Sequence, residues 1–207
     1  MNHDHPEHWN RVYAEKDPSR VSWFQPQPGP SLRALERFGA KPTFSLIDVG
    51  GGASALVDAL LARGWRNVTV LDIASSALDR TKARLGDAAD CIAWEVADVT
   101  RWVPTRQYDV WHDRAVFHFL VRPEQRAAYR KAMTEGLAPG GFVVVAASAL
   151  DGPERCSGLQ VERYDAVKLA KELGPSLELI EAWREEHVTP WGATQAFTWC
   201  AFRARDK

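Results

Sequence analysis

The stretch "SLIDVGGGASALVDALLARGWRNVTVLDIA", residues Ser45 to Ala74, reads as strand, glycine turn, helix and strand. Apolar residues surround Asp48 up to the turn, a helical pattern follows it, and a second apolar run ends at Asp72. Gly50, Gly52 and Ala55 satisfy the G-x-G-x-x-G/A fingerprint of dinucleotide sites, and Asp72 stands 20 positions beyond Gly52, where a ribose-binding acid belongs. With Gly51 between them, the same glycines also satisfy a looser acid-x-G-x-G pattern that begins at Asp48. Two cofactor classes therefore share this stretch. In both, glycines let the backbone approach the ligand, and the N-terminus of the next helix receives an anionic group.

Working outward, residues 6–16 read as a short helix with Trp9 and Tyr13 four apart on one face. The proline-rich "DPSRVSWFQPQPGP" is an extended connection, and Leu32, Leu35 and Phe38 mark a second helix that ends at Gly39. From Thr43 onward, strands are expected at 44–49, 67–72, 92–97, 108–112 and 141–147, with helices at 53–63, 75–85 and 123–137. This alternation predicts an α/β protein with a parallel sheet and helices on both faces. After a helix near 164–173, "LELIEAWREEHVTP" and "TQAFTWCAFRAR" are joined only by "PWGA". No helix fits between them, so they should form an antiparallel hairpin that completes a seven-stranded, mostly parallel sheet. One domain is expected over 1–207, with an N-terminal helical cap at 1–40 and an α/β core at 41–207.

Composition narrows the function. Lys and Arg number 26 against 27 Asp and Glu, a net charge of −1, which gives no electrostatic footprint for nucleic acid. No apolar run approaches the ~20 residues of a membrane span, and "MNHDHPEHWN" lacks the basic start and apolar stretch of a signal peptide. Cys91, Cys156 and Cys200 are odd in number and far apart, which reads as free thiols in a reducing compartment. A soluble cytoplasmic protein is expected, without membrane or nucleic-acid partners; the oligomeric state stays open. His3, His5 and His8 lie close to the terminus and read as solvated coil, so no metal site is expected.

Two features separate the cofactor classes. A dinucleotide fold continues with parallel units where this chain has its hairpin. A carboxylate at Asp48 would repel a diphosphate and attract the ammonium of S-adenosylmethionine (SAM). At this point the sequence resembles the class I SAM-dependent methyltransferases, small bacterial-type proteins with a Rossmann-like fold. "LIDVGGGAS" resembles their glycine-rich motif, "VTVLDIA" their second strand with its ribose acid, and "WEVADV" their third strand with an adenine-facing Asp98. "YDVWHDRAVFHFL" resembles their fourth strand and the loop near the transferred methyl, and "LAPGGFVVVAAS" their fifth. The likeness spans roughly residues 43–203, and the five motifs agree in order and spacing. Ser54 stands where a third glycine is usual, and its hydroxyl could cap the helix.

The resemblance implies SAM as cofactor and S-adenosylhomocysteine as product. It places Asp48, Gly50, Gly51 and Gly52 at the methionine end, Asp72 and Ile73 at the ribose, and Asp98 and Val99 at the adenine. Asp113, Arg114 and His118 would face the reacting centre, with Asp113 also near the cofactor. His118 or Asp113 could remove the acceptor's proton, although His118 could equally be a packing residue between Phe117 and Phe119. Trp9, Tyr13, Trp23 and Phe24 could cover the sulfonium, or could simply be core. Trp191 is a candidate wall of the acceptor pocket, and Arg155, Arg163 and Tyr164 could hold an anionic or polar substrate. Cys156 reads as an incidental or buried thiol. No D/N-P-P-Y/F tetrapeptide follows the fourth strand, where "HDRA" stands instead. A small-molecule acceptor is preferred, with a protein lysine as alternative. A non-catalytic SAM- or partner-binding protein and an NAD(P)-dependent oxidoreductase are the rival classes.

Overall fold

The computed structural model of the chain describes residues 5–15 and 17–205. Helices α1 (His5–Glu15) and α2 (Gly29–Arg37) precede an alternating unit of β1 (Leu46–Val49), α3 (Leu56–Ala62), β2 (Val68–Asp72), α4 (Ser75–Leu85), β3 (Ile92–Val96), β4 (Tyr108–Arg114), α5 (Pro123–Gly136) and β5 (Leu137–Ser148). A short hairpin of β6 (Arg155–Cys156) and β7 (Leu159–Gln160) follows, then α6 (Ala166–Leu173), β8 (Leu177–Val188) and β9 (Thr194–Ala204). The main sheet has seven strands in the order β3-β2-β1-β4-β5-β9-β8. Strands β1 and β2 are buried at every position, as their continuous apolar runs require, while the edge strand β3 is partly exposed.

The chain leaves β1 toward β2 on one side and returns to β4 on the other, so a crevice opens beyond the carboxyl ends of β1 and β4. Strands β8 and β9 form the expected hairpin, closed at Gly192, whose N–H donates to the Thr189 carbonyl at 2.9 Å. It is β9 that pairs antiparallel with β5, from Phe142 opposite Arg203 to Ser148 opposite Phe197. Strand β8 is thereby pushed to the edge, with a register shift between Leu179 and Glu181.

Two apolar layers sandwich the sheet. Ile47, Val49, Trp111, Val143 and Val145 pack toward α5 and α6 with Tyr129 and Leu169. Leu46, Val68, Val70 and Val110 face the other way, onto Leu32, Leu56, Leu60 and Leu78. Within the first layer Tyr129 is fully buried, its hydroxyl donating to Asp113 Oδ2 at 2.8 Å and accepting from Trp111 Nε1 at 2.8 Å. Both partners would be left wanting without it.

Two expectations need correction, and one element is added. Helix α3 begins at Leu56 rather than 53, because residues 51–54 form a turn closed by Ser54 N–H to the Gly51 carbonyl at 2.8 Å. The N-cap of α3 is Ala55, which has no side-chain cap; the Ser54 hydroxyl accepts Leu56 N–H at 3.0 Å one residue earlier and closes a turn ahead of the helix. His8 lies within α1 rather than in coil; His3 falls outside the described residues. The β6–β7 hairpin is an addition, turned by Ser157 and Gly158 at φ of 51° and 79°. Among the described residues no His, Cys, Asp and Glu cluster could hold a metal, and no helix is long and apolar enough to cross a membrane.

Tyr129→Phe keeps the ring and removes the hydroxyl, leaving Asp113 and Trp111 each short of a buried partner. Urea unfolding should show a loss of roughly 1–3 kcal/mol, as expected when one buried indole N–H is orphaned and a buried carboxylate loses one of its three donors. A loss under 0.5 kcal/mol would show that water replaces the hydroxyl.

Candidate active site

A cavity of about 830 Å³ occupies the crevice, lined along the strand ends by Val49, Leu71, Ala97 and Asp98. Gly50 forms part of its floor at φ 70°, and a Cβ there would come within 2.0 Å of Val116 Cγ2. Gly51 and Gly52 do not line the cavity. They pass close over two buried carboxylates: a Cβ on Gly51 would meet Asp48 Oδ2 at 2.4 Å, and one on Gly52 would meet Asp72 Oδ2 at 2.4 Å. Only glycine fits where backbone crosses a carboxylate this closely.

Asp48 stands beside His112 across β1 and β4. Its Oδ1 lies 2.7 Å from His112 Nδ1, and His112 Nε2 lies 3.0 Å from Ser31 Oγ of α2. Asp48 Oδ2 is buried beneath Gly51 with no hydrogen-bond partner, and Asp48 does not line the cavity. The Asp72 carboxylate ends β2, lines the cavity and accepts Ala74 N–H at 2.8 Å. Burial pushes its pKa up to about 7, with Asp48's negative charge adding to the rise and the Ala74 amide opposing it. Ile73 lies beside it in the wall. Asp98 and Val99 also line the cavity, Asp98 Oδ1 closing a turn with Thr100 N–H at 2.8 Å and Thr100 Oγ at 2.7 Å.

The loop after β4 places both candidate proton acceptors outside the cavity lining. Asp113 is fully buried; its Oδ1 accepts Val116 N–H at 2.9 Å, and its Oδ2 accepts Phe117 N–H at 3.1 Å and the Tyr129 hydroxyl. Its carboxylate shapes a turn and does not line the cavity. His118 is fully buried as well, its Nδ1 accepting Ser148 N–H at 3.2 Å. Burial and the positive charge of Arg114 push its pKa down to about 3, so it stays neutral and walled off. The 3₁₀ turn at Phe117–Phe119 puts Phe119 in the cavity wall and leaves His118 out of it.

Arg114 does line the cavity. Its Nη1 donates to the Trp23 carbonyl at 2.9 Å, and its guanidinium carbon lies 5.2 Å from the Phe197 ring centre. Ala115 follows at φ 71°, a left-handed conformation that costs a non-glycine residue about 1–2 kcal/mol.

The aromatic segment closes the opposite wall. Trp9, Tyr13 and Trp23 all line the cavity; Trp9 meets Trp23 edge-on at 5.6 Å and Phe119 at 5.0 Å. Residues 22–25 are fastened to the sheet by His187 Nε2 at 2.7 Å from the Ser22 carbonyl and by Gln25 Nε2 donating to Glu185 Oε1 at 2.9 Å. Ser22 Oγ also lies 3.6 Å from Cys156 Sγ, which lines the cavity. Phe24 does not line it. Trp191 is 62% exposed at the hairpin tip and forms no wall. Arg155 is exposed, Arg163 pairs with Glu154 at 3.1 Å, and Tyr164 is buried beside Phe117; none of the three lines the cavity. Gln160 and Phe197 are lining residues that the sequence reading missed.

Comparison with known proteins agrees with this geometry. A family model described as a methyltransferase domain matches residues 47–143. Nodulation protein S of Rhizobium tropici is 28% identical over 144 residues, covering 69% of this chain and 59% of that protein. Thiocyanate methyltransferase 1 of Arabidopsis thaliana is 30% identical over 138 residues, covering 66% and 59%. The match thus spans 59% of the length of each curated relative. The crystal structure of the N-methyltransferase NodS from Bradyrhizobium japonicum WM9 with S-adenosylhomocysteine superposes with a TM-score of 0.73 at 20% identity, covering 99% of this chain and 100% of that one. Residues 47–143 thus match a methyltransferase domain, and the fold is one that solved methyltransferases share.

The position of Asp72 has a consequence for stability. An unfolded Asp ionises near 3.9, whereas the folded chain holds this proton up to about pH 7. Between those values the native state binds the extra proton, so its stability falls as pH rises, and above 7 the full cost is present. Asp72→Asn removes that cost. In urea unfolding the variant should gain on the wild type as pH rises from 4 to 8, by on the order of 3 kcal/mol. A difference that does not change with pH would mean that Asp72 ionises normally.

Proposed function

We propose that this chain binds SAM in the cavity and transfers its methyl group to a small-molecule acceptor, leaving S-adenosylhomocysteine. The observation that carries this reading is that Gly50, Asp72 and Asp98 line one cavity, with Gly51 and Gly52 packed over the Asp48 and Asp72 carboxylates. Asp48, Gly50, Gly51 and Gly52 would hold the methionine end, with the unpartnered Asp48 Oδ2 beneath the turn supplying negative charge. Asp72 and Ile73 would take the ribose, and Asp98 with Val99 the adenine. When bound, SAM supplies a methyl group on a positively charged sulfur, open to in-line attack by a lone pair.

Trp9, Tyr13 and Trp23 exclude water and offer π faces to that positive charge. Residues 1–40 would thus act as a cap over a core at 41–207. Asp113 holds the turn that carries Arg114, Ala115 and Val116 past the reacting centre, so it positions rather than reacts. With His118 and Asp113 engaged elsewhere, catalysis rests on orientation and exclusion of water. The aromatic segment closing over the cavity supports a small acceptor over a protein lysine, and the name of the relative thiocyanate methyltransferase 1 is consistent with that preference. The net charge of −1 supports a role without nucleic acid.

Calorimetry on the full chain tests this. The wild type should bind S-adenosylhomocysteine and show no heat with NADH. Asp72→Ala should weaken binding by about 1.5–3 kcal/mol, the worth of hydrogen bonds to a charged group. His118→Ala should lose stability and keep its affinity. Tight NADH binding with none for S-adenosylhomocysteine would overturn the assignment.

A further inference from the structure

Helix α4 starts without an N-cap of its own. Its first residue, Ser75, follows Ala74, whose methyl group cannot accept the N–H groups of the first helical turn. Asn10 of α1 supplies the missing acceptor from another part of the chain. Its Oδ1 accepts the Ser76 N–H at 3.1 Å and lies 3.0 Å from the Ser76 hydroxyl and 3.4 Å from that of Ser75. The Asn10 carbonyl stands 3.2 Å from the Ser76 hydroxyl, and further along α4 Arg80 Nη2 donates to the Ala14 carbonyl at 3.2 Å. Beside this polar seam, Tyr13 packs on Ala74 and Ala77.

The turn that Asn10 completes is the one that holds Asp72. Asp72 Oδ1 accepts the Ala74 N–H at 2.8 Å, so the carboxylate is fixed by the N-cap residue of α4. The same helix grips the glycine turn: the Thr81 hydroxyl donates to the Gly52 carbonyl at 2.6 Å, and a Cβ on Gly52 would meet Ala77 Cβ at 2.9 Å. Asp72's charge also reaches α1, where it adds to the upward shift that burial imposes on the Tyr13 hydroxyl. Trp9 and Tyr13 face the cavity, whereas Asn10 does not line it. A contiguous set of contacts thus runs from α1 through the first turn of α4 to the carboxylate in the cavity wall.

We propose that Asn10 is a positioning residue: by capping α4 where Ala74 cannot, it holds the Ala74 amide against Asp72 and couples the seating of α1 to binding of the ribose. The ligand side of this inference rests on the SAM reading; the contacts from Asn10 to Asp72 do not. Without Asn10 the first turn of α4 frays, because helix ends are where backbone hydrogen bonds open most easily, and the Ala74 amide leaves the carboxylate. Such coupling is reciprocal, so a ligand that fixes Asp72 also tightens α1 on α4 and closes the wall of Trp9 and Tyr13.

Calorimetry with S-adenosylhomocysteine on the full chain compares Asn10→Ala and Asn10→Asp, and repeats Asn10→Ala in an Asp72→Ala chain. Asn10→Ala should weaken binding about four- to tenfold, the worth of one helix cap, while Asn10→Asp keeps the accepting oxygen and should stay within about twofold of the wild type. In the Asp72→Ala chain, Asn10→Ala should change affinity by less than about twofold, because the group through which it acts is gone. An equal loss in both backgrounds would mean that Asn10 only seats Trp9 and Tyr13, and the proposal fails; unchanged affinity in Asn10→Ala alone also overturns it. Amide hydrogen exchange on the ligand-free chain needs neither the ligand nor the Asp72 variant. There Asn10→Ala should speed exchange at Ser76 and Ala74 by about fivefold or more and leave Val70 in β2 as it was. An Ala74 amide that exchanges at the wild-type rate in Asn10→Ala overturns the proposal, even where Asp72→Ala does not fold. A wild type that never binds S-adenosylhomocysteine would sink the cofactor reading alone, and the exchange rates would still decide whether Asn10 holds the partner of Asp72.

Discussion

The buried carboxylate of Asp113 dictates how the chain leaves β4. By accepting the N–H groups of Val116 and Phe117 together with the Tyr129 hydroxyl, it folds the strand end back on itself. Ala115 is driven into a left-handed conformation as a result, and Val116 is set against Gly50. The same turn distributes the next three side chains: Phe119 joins the cavity wall, while Phe117 and His118 enter the core. One carboxylate thus decides which residues can meet a ligand. Burial raises its pKa to about 6, and the hydrogen bonds it accepts oppose that rise.

A second constraint lies under the glycine turn, where Asp48 and Asp72 are both buried and Asp48's charge acts on Asp72. Water cannot stabilise either charge there, so each depends on fixed partners: His112 for Asp48 and the Ala74 amide for Asp72. His112 is in turn held by Ser31, which ties helix α2 to the carboxylate beneath the glycine turn. The turn, the carboxylates and the helix behave as one unit. A side chain at Gly51 or Gly52 would disturb all of it, which is a stronger requirement than the backbone freedom of glycine alone.

Much of this architecture was legible in the residues, for definite reasons. Continuous apolar runs placed β1, β2 and β4, and helical periodicity placed α4 and α5, because both patterns record burial directly. The glycine turn, Asp72 and Asp98 were legible because their spacing reflects one local unit. Val49, Leu71 and Ala97 could have been found from their places at strand ends. The part of the cavity beyond Arg114 was not legible, because its walls come from distant segments. Phe197 reaches the cavity only because β9, not β8, pairs with β5. Arg155, Arg163 and Tyr164 were expected at an acceptor pocket because they follow the fifth strand, yet none of them lines the cavity. For His118 the residues left two answers open, and only the direction of a single 3₁₀ turn chose between them.

The twelve-residue strand β8 forms the border of the sheet. A border of that length is a template for another strand, and its bare backbone groups would accept one. Its side chains oppose this: Glu178, Glu181, Glu185 and Glu186 give it a negative rail, eased locally by Arg184, which is clamped to Asp151 at 2.8 Å, and by Arg37 paired with Glu181. The register shift at Leu179 also breaks the regular ladder that a second copy would need to match. Two such rails meeting head on would repel each other. The sheet therefore ends as a finished margin, and the strand that pins the aromatic strap through Glu185 and His187 stays free to do so.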